Sequence, residues 1–241
     1  MATRATSKRI PFSSDPRRVR RLQQGLARLG WPPEAIDRLI AAAELATFPR
    51  GRVIYRDGSP AVRLYWMLDG VAKLFVPGSL GRRVLVSLAK PGALLGSHLV
   101  VGGRRLETAV ALTPVRAAAI DTAEFQEIMH DLPPAMIQLM TRGTLDYFSR
   151  TFLRTVKLLT LDLRGKLALG LLDLADGFGV VDAQGRLVKV RLTHEDLAEL
   201  TGISRARVTK ALADFADQGL IVRRGRDVVV RVRELREVCG V

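Results

Sequence analysis

The side chains best suited to do chemistry lie in a short cationic stretch near the C-terminus. Arg205, Arg207 and Lys210 are spaced so that one helix would carry them around a single outward face, next to the small residues Ala206 and Thr209. Their cationic groups can donate hydrogen bonds to base edges or phosphates, and small neighbours allow close approach. The same face could be an ordinary solvated surface, so the surrounding elements decide between the two.

Those elements predict two helices joined by a tight turn. Thr193, followed three residues later by Asp196, is close to a capping box and predicts a helix start. Gly202 permits a sharp turn, and Ser204 can cap a second helix. Four apolar side chains recur there at the helical period and predict a buried side: Val208, Ala211, Leu212 and Phe215. The pattern indicates a helix-turn-helix, whose second helix enters the major groove of DNA.

A basic hairpin follows and favours the DNA-binding interpretation over the solvated surface. The arginine-rich turn 223–226 separates two runs of β-branched residues, as expected for a wing that touches the phosphate backbone. Arg205 is the best candidate to read a base. The predicted DNA contacts are Thr193, Ser204, Arg205, Ala206, Arg207, Thr209, Lys210, Arg223 and Arg224.

Composition bounds the remaining possibilities. The chain has 241 residues and a formal net charge of +14, which favours a polyanionic partner such as double-stranded DNA. It has no apolar run long enough to span a bilayer and no secretory leader, so we expect a cytoplasmic protein without a membrane partner. The single cysteine, Cys239, excludes an intrachain disulfide or a four-cysteine cluster. No nucleophile elbow, phosphate loop or metal motif is present, so we expect neither an enzyme nor a metal site.

The N-terminal 30 residues carry eight Lys or Arg and one Asp. This basic extension could be an additional DNA arm, a second interaction surface, or a solubilising tail with a short helix.

The sequence pattern predicts a β-rich domain between helices in the middle of the chain. A helix is predicted over 33–46, and strands such as 64–68 and 71–76 alternate with glycines, as in a small barrel or jelly roll. A long helical stretch over 134–163 is broken only by Gly143. We therefore expect a sensor domain over 31–132, a central helix and hinge over 133–163, and a DNA-binding domain over 164–241.

The long helix carries an apolar seam at helical spacing, formed by Leu145, Phe148, Phe152 and Leu159. The seam could pack on the β-rich domain of the same chain. Packing against a second copy in a parallel homodimer is the favoured alternative, because two identical DNA-binding domains match a two-fold symmetric DNA site.

From about residue 48 to 232 the chain resembles the bacterial cyclic-AMP receptor protein and fumarate-nitrate regulator family. The resemblance lies in the segments 50–71, 161–168 and the helix-turn-helix. It implies an α+β fold with a cyclic-nucleotide-binding-type β-roll (jelly roll), a long central dimerisation helix, a hinge near 161–162 and a C-terminal winged helix-turn-helix. It also implies a transcription regulator with RNA polymerase as a partner.

The candidate effector pocket departs from that family. Where cyclic-AMP-responsive members have Gly-Glu-Leu, this chain has Gly96-Ser97-His98, without the carboxylate. The family's phosphate-binding arginine aligns with Arg105 or, when the Thr-Ala pair is matched, with Glu107. The family's Thr-Ser pair on the central helix corresponds to Thr151-Phe152. Each lost charge-assisted hydrogen bond costs about 1.5–3 kcal/mol, so we do not expect cyclic AMP to bind in the usual way.

Three possibilities remain for the sensor: a different ligand, no ligand, or haem, with His98 as the histidine nearest the pocket. Ordinary structural duty for His98 is favoured over ligation, and no cofactor is expected. At the DNA head, Arg205 matches the family residue that reads guanine, whereas Ala206 replaces a glutamate and cannot accept a hydrogen bond from cytosine.

The leading hypothesis is a dimeric, sequence-specific transcription regulator. The alternative is a small-ligand-responsive signalling protein that acts mainly through protein contacts, although such a protein would not need a recognition helix with a wing.

Overall fold

The computed structural model describes residues 10–78, 82–96 and 103–240. The chain divides into two compact units. The first unit comprises residues 1–77 and 86–144, and the second comprises residues 78–85 and 145–241.

The first unit is built around two four-stranded sheets, with strand orders β1-β8-β3-β6 and β2-β7-β4-β5. The strands are β1 Glu44–Phe48, β2 Val53–Tyr55, β3 Arg63–Asp69, β4 Ala72–Pro77, β5 Arg83–Ala89, β6 Leu94–Leu95, β7 Thr108–Ala111 and β8 Val115–Asp121. Of β5, residues 86–89 belong to this unit and residues 83–85 are assigned to the second. The helices are a 3-10 turn Phe12–Ser14, α1 Pro16–Arg28, α2 Pro33–Ala42, α3 Thr122–His130 and the first part of α4 Pro134–Thr160. The predicted β-roll is confirmed.

The prediction of a helix over 33–46 is wrong for the last four residues, 43–46. Helix α2 ends at Ala42, and the backbone of Ala43 is extended (φ −80°, ψ 147°). Strand β1 then pairs antiparallel with β8, from Glu44 opposite Ala119 to Phe48 opposite Val115. The pairing partner lies about 70 residues further along the chain, beyond the reach of local periodicity.

Part of the basic N-terminal segment packs into the first unit. Phe12, Leu22 and Leu26 are buried in one apolar cluster with Trp31 and Leu39, so residues 10–30 help to form the core of the first unit. Part of the basic charge is also internally paired. Arg18 Nε donates to Asp69 Oδ2 at 3.2 Å, and Arg21 Nη1 donates to Asp69 Oδ1 at 3.1 Å. These two arginines therefore anchor α1 to the end of β3.

The second unit contains the C-terminal part of α4 and a small α/β head. Its other elements are α5 Leu163–Phe178, β9 Gly179–Asp182, β10 Gly185–Val188, α6 His194–Thr201, α7 Arg205–Asp217, β11 Ile221–Arg224, β12 Asp227–Val230 and α8 Val232–Cys239. The four strands form an antiparallel sheet in the order β11-β12-β10-β9.

The long helix α4 runs without interruption through Gly143, so the predicted break there is wrong. Its 27 residues span about 40 Å. It ends at Thr160, three residues before the predicted end, and Leu161 and Asp162 separate it from α5. Asp162 caps α5 because its Oδ1 accepts the Gly165 amide at 2.7 Å.

Within the described residues, no helix combines the length and the apolar character needed to cross a bilayer.

Candidate nucleic-acid interface and effector site

A complete capping box begins the helix-turn-helix. Thr193 Oγ1 accepts the Asp196 amide at 3.0 Å, and the Thr193 amide donates to Asp196 Oδ2 at 2.9 Å. Helix α6 stops at Gly202, whose φ of 74° lies in the left-handed region that glycine adopts without strain. The start and the end of α6 therefore follow from local chemistry, as the sequence predicted.

Helix α7 is held from behind and exposed in front. Val208, Ala211, Leu212 and Phe215 are buried, which confirms the predicted packing side. Ser204 occupies the N-cap position, but its side chain makes no capping hydrogen bond, so that predicted contact is wrong. The predicted DNA contacts at the start of the helix are all solvent-exposed: Ser204, Arg205, Ala206, Arg207, Thr209 and Lys210.

A hydrogen bond that sequence reasoning missed joins the two helices of the motif. His194 Nδ1 lies 2.8 Å from Thr209 Oγ1. The Thr209 hydroxyl also donates to the Arg205 carbonyl at 3.0 Å, so its single proton is used there and His194 Nδ1–H must be the donor. This chain of bonds ties the first residue of α6 to the exposed face of α7.

The predicted wing is present as β11 and β12, with Arg224 opposite Asp227 and Gly225 in the turn at φ 61°. Arg224 is engaged within the head. Its Nη1 donates to Asp182 Oδ2 at 2.7 Å, and its Nη2 donates to Gln184 Oε1 at 3.0 Å. Arg223 is exposed. Both wing arginines are exposed, and they differ in that Arg224 is hydrogen-bonded to Asp182 and Gln184.

The apolar seam of α4 is uncovered in the single chain. Phe148 is 66% exposed and Leu159 is 77% exposed, and Leu145 and Phe152 are likewise exposed. So many large apolar side chains on one helix form a surface that soluble proteins normally cover.

Arg154, which the sequence analysis did not single out, links α4 to the head. Its Nε donates to Asp173 Oδ2 at 2.6 Å, and its Nη2 donates to the Leu200 carbonyl at 3.0 Å. It thereby joins α4 to α5 and to the last turn of α6. Burial raises the pKa of Asp173, although the hydrogen bond from Arg154 opposes that shift.

In the first unit, Arg105 and Glu107 are both buried beside Tyr55. The Arg105 side chain is 4% exposed, and its guanidinium carbon lies 3.9 Å from the centre of the Tyr55 ring. Arg105 Nη2 donates to the Arg63 carbonyl at 2.7 Å, whereas its Nε and Nη1 have no hydrogen-bond partner among the described residues. Burial lowers the pKa of Arg105.

Glu107 is 7% exposed and accepts a hydrogen bond from the Tyr55 hydroxyl at 2.9 Å. Burial, followed by the nearby Glu107 carboxylate, raises the pKa of Tyr55 far above its ordinary value. Both residues that compete for the position of the phosphate-binding arginine therefore lie in the same small cluster, one cationic and one anionic.

The other predicted effector residues are distributed as follows. Gly96 ends the described stretch after β6 with φ 77°, while Ser97 and His98 lie outside the described residues. Thr151 and Phe152 belong to the second unit, where the Thr151 hydroxyl donates to the Tyr147 carbonyl at 2.9 Å. In the described part of the chain, no three His, Cys, Asp or Glu side chains are grouped so that they could hold a metal ion.

A β-roll, a long helix and a winged helix-turn-helix together define a class of bacterial transcription regulators. The family models agree: the cyclic nucleotide-binding domain matches residues 45–131, and the Crp-like helix-turn-helix domain matches residues 165–238. The chain belongs to the cyclic-AMP receptor protein and fumarate-nitrate regulator family, whose members are transcription regulators and not enzymes.

Curated relatives cover most of the chain. It is 33% identical over 202 residues to the CRP-like cAMP-activated global transcriptional regulator of Mycobacterium tuberculosis, covering 83% of this chain and 90% of that one. It is 29% identical over 178 residues to the global nitrogen regulator of a Nostoc species, covering 73% and 79%.

Solved structures share the architecture. A CRP-family transcriptional regulator from Thermus thermophilus superposes with a TM-score of 0.66 at 26% identity, covering 81% of this chain and 97% of that one. The c-di-GMP-responsive global regulator CLP of Xanthomonas campestris gives 0.70 at 21% identity, covering 83% and 99%, which shows the shared fold.

Proposed function

We propose that the protein is a homodimeric, sequence-specific transcription regulator that reads a two-fold symmetric DNA site with α7 and the wing. The observation that carries the proposal is the arrangement of α7: four apolar side chains fix its back, while Arg205, Arg207 and Lys210 stand exposed on its front. A cationic helix fixed in this way can enter the major groove without reorganising.

The contacts divide into two roles. Arg205, at the start of α7, donates to a guanine edge and sets sequence preference. The remaining residues lie close to the DNA sugar-phosphate backbone and position α7 on it. They are Thr193, Ser204, Ala206, Arg207, Thr209, Lys210, Arg223 and Arg224. Of these, the exposed Arg223 can bind phosphate directly, whereas Arg224 must first break its hydrogen bond with Asp182.

The homodimer forms through the α4 seam. Leu145, Phe148, Phe152 and Leu159 are exposed and lie at helical spacing, so a second copy of α4 can bury them. Dimerisation then places two α7 helices in the major groove on successive turns of DNA. One winged helix-turn-helix contacts only one of these two half-sites. The protein acts in the cytoplasm, where it contacts RNA polymerase at the promoter.

The sensor does not bind cyclic AMP as the cAMP-activated relative does. Support comes from Glu107, a buried carboxylate next to Arg105, at the place where a cyclic phosphate would need positive charge. The regulator therefore responds to a different effector or acts without one. Calorimetry with cyclic AMP should show no binding at concentrations that saturate the M. tuberculosis relative; binding of equal strength would contradict this part of the proposal.

The DNA-binding proposal is tested by selecting bound duplexes from a random pool, with and without cell extract. We expect an inverted repeat with a recurrent guanine in each half-site. Sedimentation of the free protein should show a dimer. A monomer without preference among duplexes would refute the proposal.

A further inference from the structure

The C-terminal DNA-binding unit contains a pocket whose lining includes none of the exposed residues of α7. It has a volume of about 360 Å³ and opens between the wing and the helix-turn-helix. Its floor consists of buried apolar side chains from five elements: Leu171 and Leu174 of α5, Leu197 of α6, Leu212 of α7, Ile221 of β11 and Val230 of β12. An apolar recess of this size is at the small end of ligand-binding pockets.

The rim of this pocket is cationic. Arg191, Arg223 and Arg226 line it, together with His194 and a single acid, Asp227. Asp227 is 3.8 Å from Arg191 Nε. Arg223 and Arg226 make no ion pair within the part of the chain that the structure describes. The rim thus offers two unpaired guanidinium groups above an apolar floor.

We infer that this head pocket binds a small amphipathic carboxylate, with its hydrocarbon part on the floor and its carboxylate on Arg223 and Arg226. The volume of about 360 Å³ is that of a small ligand pocket and suits a medium-chain carboxylate such as decanoate. Charge selects the head group, because a guanidinium pairs with a carboxylate in a bidentate, charge-assisted contact.

Such a ligand would oppose DNA binding. Arg223 is also a proposed phosphate contact, and one guanidinium cannot hold the carboxylate and a phosphate in the same geometry at once. This inference concerns ligand binding by the free protein, so it stands or falls independently of the proposed DNA site.

The test is calorimetry of the full chain, without DNA, using decanoate and 1-decanol as probes. We expect saturable decanoate binding and at least about tenfold weaker binding of the neutral alcohol, since the alcohol lacks the charge-assisted contact. Equal affinities for the two probes, or no binding of decanoate, would overturn the inference.

Two variants locate the binding. Val190 is half-buried on the pocket wall, so Val190→Trp should fill the space and weaken decanoate binding at least tenfold. Val180→Trp, on exposed β9 of the same sheet, is its control and should bind normally. Arg226→Gln alters only the rim and should also weaken binding, whereas Arg233→Gln, at an exposed position of α8, should not. Unchanged binding in both Val190→Trp and Arg226→Gln would place decanoate elsewhere and refute the site.

Discussion

His194 Nδ1 donates to Thr209 Oγ1 across the two helices of the reading head, at 2.8 Å. His194 is the first residue of α6, and Thr209 lies on the exposed face of α7. The Thr209 hydroxyl donates a hydrogen bond to the Arg205 carbonyl, so the contact between the two helices lies close to the residue proposed to read a base.

Thr209→Val keeps the shape of the side chain and removes the hydroxyl that receives His194. A net hydrogen bond contributes about 0.5–1.5 kcal/mol, so we expect DNA affinity to fall about two- to tenfold while the far-UV spectrum stays unchanged. Fluorescence anisotropy with the selected duplex measures the loss. Thr141→Val is the control, because Thr141 makes the same bond to the carbonyl four residues before it without a histidine. Because Thr209 is also a proposed DNA contact, His194→Phe decides the cause: it keeps the Thr209 hydroxyl, and full DNA affinity in that variant would contradict this role of His194.

Arg205→Ala and Arg224→Ala should affect DNA recognition differently. The first should relax preference at one base of each half-site, at a cost of about 1–3 kcal/mol for the guanine site. The second should weaken all sequences alike and reduce the slope of log affinity against log salt by about one. Binding to a set of single-base variants at several salt concentrations distinguishes the two effects. If both substitutions gave the same profile, the assigned roles would be wrong.

Phe148→Asp should dissociate the dimer. A charge placed in a buried apolar seam has no partner there, and its desolvation opposes association by several kcal/mol. Sedimentation equilibrium should show monomers, and affinity for a two-half-site duplex should drop. Val181 is 87% exposed on β9, and Val181→Asp should leave the dimer intact. A dimeric Phe148→Asp protein would place the interface elsewhere.

The pH dependence of unfolding should carry a contribution from Asp173. Since burial raises its pKa above 3.8, the native state keeps a proton that the unfolded chain has lost in the window just above that value. This group therefore lowers the free energy of unfolding as pH rises through the window. Asp173→Asn should remove that part of the slope in urea titrations at several pH values. Parallel curves for the two proteins would show that Asp173 titrates normally.

The sequence predicts the structure correctly where local chemistry decides it. Thr193, Asp196 and Gly202 are within ten residues of each other, and their capping and turn geometry are as predicted. The apolar back of α7 follows directly from its spacing. Ser204 shows the limit of this reasoning, since it occupies the N-cap position but makes no side-chain bond.

Long-range partners explain the rest. Residues 44–48 become a strand because β8 offers them an edge, and no periodicity within α2 could reveal it. Phe12 is in the core because α2 and the β-roll surround it. Arg154 reaches acceptors 19 and 46 residues away. Arg105 and Glu107 are a further case of long-range packing. In the sequence they are alternative matches to one family arginine, whereas the fold packs both against Tyr55.

The contact of Arg224 with Asp182 and Gln184 means that this wing arginine is already hydrogen-bonded within the protein before any nucleic acid binds. To bind phosphate, Arg224 must exchange the Asp182 carboxylate for that phosphate, so part of the binding free energy is spent on breaking this ion pair. The β9–β10 hairpin can therefore tune how tightly the head grips the backbone without touching it, and substitutions at Asp182 would change affinity for every operator by the same factor.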